Sequence, residues 1–61
     1  MKVGTTLIVD LPFETRLFKA RYEKDRPDIL SSTIQVHCLT GNMKGRTVNV
    51  DRSSCIKEPQ S

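Results

Sequence analysis

The chain has no tryptophan and only three aromatic residues, Phe13, Phe18 and Tyr22. A surface that stacks single-stranded bases interleaves exposed aromatics with cations, so this scarcity argues against a dedicated single-strand binder. The two cysteines, Cys38 and Cys55, are too few for a disulfide framework. Both fall in apolar alternation, where a free thiol behaves as a small buried hydrophobe. They are placed to pair under oxidising conditions only if their strands are neighbours. No run is long and apolar enough to span a bilayer. The start, MKVGTTLIVDLPF, has Asp10 and Pro12 inside its apolar stretch and makes a poor signal peptide. The expected setting is intracellular, cytoplasmic or nuclear, with the host cell of a virus as one such setting.

Several kinds of chemistry are equally short of material. His37 is the only histidine and neighbours Cys38. Adjacent strand residues point to opposite faces, so the two do not make a nucleophile and its base. His37, Cys38 and Cys55 lack the paired spacing of a zinc site. Gly4, Gly41 and Gly45 match neither a P-loop nor a dinucleotide fingerprint. The carboxylates Asp10 and Glu14, and Asp25 and Asp28, lie in turn-rich segments beside basic residues, which suits local ion pairing. The expectation is a protein that is not an enzyme and takes no cofactor and no metal.

What is present fits one small domain over residues 1–61. A chain of this size buries a modest fraction of its surface, so its own hydrogen bonding and packing must make up the difference, or else a second subunit in a homodimer or a larger parent protein must. Ten basic residues against seven acidic give a net charge of +3. That excess permits attraction to phosphate backbones or to an acidic protein face.

Period-two alternation runs through most of the chain. Residues 5–11, TTLIVDL, read as a strand with Leu7, Val9 and Leu11 on one face, ended by Pro12. Residues 12–24, PFETRLFKARYEK, carry two patterns. As a helix, Pro12 sits in the first turn and Phe13, Leu17 and Ala20 share a face. As a strand, Phe18, Ala20 and Tyr22 point inward while Lys19, Arg21 and Glu23 point outward. The strand keeps two of the three aromatics together and is preferred. Residues 25–32, DRPDILSS, make a turn-rich connection, with Ile29 and Leu30 closing one end of the core. Residues 33–39, TIQVHCL, form the clearest strand, with Ile34, Val36 and Cys38 inward and Gln35, His37 and Leu39 outward. Residues 40–45 supply a hairpin loop in which glycine and asparagine offer positive φ. Residues 46–50 return with Val48 and Val50 inward. DRSS (51–54) suits one 3₁₀ turn. Residues 55–57 form a short last strand with Ile56 inward, and 58–61 make a polar tail.

Five short strands with one tight turn before the last predict a mostly β fold. The run GRTVNVDRSSCIKEP resembles the end of an SH3-like barrel: a strand, a single 3₁₀ turn and a short closing strand. More narrowly, TGNMKGRTVNVDR is similar to the SH3-like C-terminal domain of retroviral and retrotransposon integrases. Arg46, Thr47, Val48, Val50, Asp51 and Pro59 fit its R-T-V-x-V/I-D strand and the proline that follows, and FKARYE is loosely like its second-strand region. The resemblance implies an SH3-like barrel of about five strands; α+β with a helix at 12–24 is the alternative.

Two functions follow as expectations. In the first, a small binding module contacts nucleic-acid backbone through a basic face of Lys19, Arg21, Lys44, Arg46 and Arg52, within an integrase-like or transcription-associated assembly. Such contacts add salt dependence and little sequence information. In the second, a small viral or phage-type adaptor or inhibitor docks on a larger host protein. It uses its hairpin and sheet edge, with Leu39 and Met43 at the contact.

Overall fold

A computed structural model describes residues 2–12 and 14–57. Five strands form one antiparallel sheet: β1 (Thr6–Val9), β2 (Phe18–Asp25), β3 (Thr33–Cys38), β4 (Thr47–Asp51) and β5 (Cys55–Lys57). A 3₁₀ turn, Arg52–Ser54, joins the last two. The strand order is β4-β3-β2-β1-β5. Among the described residues there is no helix other than the 3₁₀ turn, so the strand reading of β2 holds and the helical alternative over 12–24 does not. Phe13, which that helix needed, lies outside the described residues, as do Pro59 and the polar tail.

The middle strand explains how one sheet makes a core. Residues 18–21 of β2 pair with β1, and residues 20–25 pair with β3. The register shifts between Tyr22 and Lys24, leaving Glu23 as the extra residue of a bulge. A bulge bends its strand and sharpens the local twist. Leu7, Val9, Ala20, Ile34 and Val36 are fully buried, and Phe18, Tyr22, Cys38 and Val50 nearly so. All lie on one face of the sheet by alternation. With no helix over that face, burial this complete requires the sheet to curl over itself. The sheet is not closed: β4 and β5 end the order, each with one unpaired edge.

Several expectations are corrected at the edges. Ile56 points outward, not inward, and is 62% exposed. Pairing decides this: Cys55 lies opposite buried Val9, so Ile56 lies opposite Ile8 on the outer face. Ile29 and Leu30 do not close the core; they are 47% and 65% exposed. The turn that carries them is tied off by backbone bonds from Ile29 to Arg26 and from Thr33 to Leu30, which leaves both side chains in solvent. β1 ends at Val9, before Leu11, and the Asp10 amide donates to Ser54 O just ahead of β5 (2.8 Å). Leu11 is still buried. Leu39 and Arg46 fall just outside their strands, and β2 runs on to Asp25. Val48 is half-buried rather than buried.

Candidate nucleic-acid interface

The hairpin between β3 and β4 folds back onto the start of β2. The Lys19 amide donates to Thr40 Oγ1 at 2.8 Å, and the Leu39 amide donates to Lys19 O at 2.8 Å. Within the loop, Gly45 N donates to Cys38 O and Arg46 N to Met43 O. Gly41 and Gly45 supply the positive φ, at 84° and 86°. Asn42 does not, since no described residue other than glycine has positive φ. Gly41 approaches Phe18 so closely that a Cβ there would sit 3.1 Å from Phe18 Cβ. These contacts place Lys19, Lys44 and Arg46 at one end of the sheet, all exposed.

Arg21 lies two residues further along β2 on the outer face. It faces Thr6 on one side and His37 on the other, and His37 in turn faces Thr47. His37 Nδ1 is 3.4 Å from Thr47 Oγ1. The side chains of Arg21, Lys44 and Arg46 carry no hydrogen bond or ion pair among the described residues.

Arg52 stands apart. It follows β4 at the other end of the sheet, about 20 Å from Arg46 along an extended strand. Its Nη2 is 3.0 Å from Asp25 Oδ1, which also accepts from Tyr22 Oη at 2.8 Å. The Tyr22 hydrogen bond, helped by the Arg52 charge, holds the Asp25 carboxyl below its ordinary range. The same bond pushes the Tyr22 hydroxyl up. Other acids collect at this end with partners of their own. Asp28 pairs with Arg26 at 2.8 Å, and that bond lowers its pKa. Asp51 accepts from Ser53 N and Ser53 Oγ, both at 2.9 Å, capping the 3₁₀ turn, and is lowered chiefly by the first bond. Glu23 accepts from Gln35 Nε2 at 3.1 Å.

The two residues expected to dock a protein partner separate as well. Leu39 is half-buried on the outer side. Met43 is half-buried and packed against the core, so it builds the hairpin rather than presenting it. Cys38 and Cys55 are free, and β2 and β1 lie between their strands, so the condition for pairing them is not met. Burial raises both thiols, and at Cys55 the Asp51 charge adds to it. Among the described residues no cluster of His, Cys, Asp or Glu is arranged to hold a metal ion, and no helix is long and apolar enough to cross a membrane.

Sequence reasoning missed two features. A shallow groove of about 260 Å³ runs between residues 14–18 and 41–43, bringing exposed Arg16 and Leu17 beside the hairpin. No local pattern announces a contact between segments so far apart. The second is the outward Ile56, whose signal was the alternation forced by an inward Cys55. No family model matches the chain, and neither a curated protein nor a solved structure matches it.

Proposed function

We propose that this chain is a non-enzymatic binding module of the SH3-like type whose hairpin end grips nucleic-acid backbone. The strand order, the bulged middle strand shared between two halves of the sheet and the 3₁₀ turn before β5 support the architecture. One observation carries the function. Lys19, Lys44 and Arg46 lie at the hairpin end with Arg21 two residues further along β2, and the side chains of Arg21, Lys44 and Arg46 bear no bond among the described residues, whereas Glu23, Asp25, Asp28 and Asp51 are each held by a hydrogen-bond donor. Exposed cations grouped around the hairpin attract phosphates, while the acids are occupied by donors of their own.

The test is a salt titration of binding to random-sequence duplex and single strands. Four phosphate contacts give a slope of log affinity against log salt of roughly −3 to −4. Lys44→Glu with Arg46→Glu should abolish binding. Arg52→Glu should leave affinity nearly unchanged while lowering the melting temperature, because Arg52 serves Asp25. Binding that ignores salt, or that is lost equally with Arg52→Glu, contradicts the assignment.

The open edges of β4 and β5 favour a second reading, docking on a larger protein by strand addition. That mode predicts binding insensitive to salt and to the hairpin cations.

A further inference from the structure

The two open edges of the sheet are defended unequally. β5 is three residues long and carries exposed Lys57, and shortness and lysine both discourage strand pairing. β4 runs five residues, Thr47–Asp51, without lysine, proline or bulge, and pairs with β3 alone. Hydrogen bonds at its two ends fix which groups that pairing uses. Cys38 N donates to Arg46 O, and Arg52 N donates to Ser32 O, both at 2.8 Å. Bonded and unbonded pairs alternate along an antiparallel ladder. Between those ends, Val48 and Val50 therefore bond to β3, and the backbone groups of Thr47, Asn49 and Asp51 point to the open edge. All three residues are exposed, and Val48 between them is half-buried against the core. Asp51 O accepts from Cys55 Sγ at 3.6 Å.

Going beyond the nucleic-acid reading, we propose that β4 is a self-pairing edge, to which a second copy of this chain adds its own β4, antiparallel, about a two-fold axis through Asn49. In that register each Asn49 amide donates to the other copy's Asn49 carbonyl, and each Asp51 amide to the other copy's Thr47 carbonyl. Val48 lies opposite the second copy's Val50 in an unbonded pair, where side chains come closest, so its half-exposed surface is covered. On the outer face the Thr47 hydroxyl meets a carboxylate, and no carboxylate meets another. The second copy is favoured over a foreign strand because its β4 arrives already ordered, with no ordering cost on association, and because one patch satisfies itself by symmetry. A five-residue edge buries less than the roughly 1,200 Å² of a stable interface, so the dimer is weak and concentration-dependent. The register also brings Arg46 near the second copy's Arg52, and each copy carries a net charge of +3. Added salt screens that repulsion and strengthens the dimer, the opposite of its effect on phosphate binding.

The experiment is sedimentation equilibrium up to about 1 mM protein, at low and high salt. The expected result is a monomer–dimer equilibrium that salt shifts toward dimer. Asn49→Pro removes an amide that β3 does not use, and should weaken association on the order of tenfold or more. Thermal melts check that the variant folds. Asn49→Lys and Asn49→Asp test the axis without proline: each alone should be monomeric through like charge at the dyad, and their mixture should form a heterodimer. A wild-type chain that stays monomeric to about 1 mM overturns the proposal and leaves the edge to a strand of another protein. A dimer that survives Asn49→Pro, or Lys and Asp variants that fail to associate when mixed, overturns it too. None of these results touches the nucleic-acid reading, which stands or falls on its own salt titration.

Discussion

Asp25 shows how much one side chain does in a domain this small. It accepts from a phenol and a guanidinium, joining the bulged end of β2 to the 3₁₀ turn. Its folded pKa lies below the ordinary 3.8, and those of Asp28 and Asp51 do too. A depressed carboxylate contributes stability that is present above the unfolded pKa and lost as pH falls through the folded one. Thermal stability should therefore hold from neutral pH to about 4 and then decline. Asp25→Asn should lower the melting temperature at neutral pH and flatten part of the acid decline. These groups are exposed, so the effect is modest. A melting temperature that is unchanged, or that rises, below pH 4 would show that the three carboxylates do not stabilise the fold.

At the scale of elements, the hairpin glycines make a controlled pair. Both hold positive φ, but a Cβ at Gly41 meets Phe18 whereas one at Gly45 meets nothing within 4 Å. Gly45→Ala isolates the backbone cost, about 1–2 kcal/mol. Gly41→Ala adds the clash and should cost more, read by chemical denaturation. Equal costs would mean that the hairpin does not rest on Phe18. The hairpin, the 3₁₀ turn and β5 were legible in the sequence because turn chemistry and alternation are local. Alternation also gave the inward set of β2 and β3. It did not fix the direction of β5, since three residues carry too little pattern to choose between Cys55 and Ile56. Only pairing with β1 decides that. Nor could composition separate the apolar residues of an exposed turn, Ile29 and Leu30, from those of the core.

For the whole molecule, the grouping of the cations around the hairpin was the part of the site least visible beforehand. Lys19, Arg21, Lys44 and Arg46 were recognisable as candidates, but which end each occupies depends on β2 pairing with β3, a long-range fact. Arg52 looked equivalent in sequence and is not, because Asp25 reaches it across 27 positions. The strand order has one more consequence. Leu7 faces Lys57, so the first and last strands leave the sheet side by side. A short linker between them makes the backbone a ring, and a ring can be opened elsewhere. Cutting between exposed Ile29 and Leu30 preserves all four ladders, whereas a cut inside β2 breaks two. A circular permutant opened at that turn should melt cooperatively, and one opened at Tyr22 should not fold. The order of the genes' letters is then incidental to this fold; what it requires is the cyclic order of its strands.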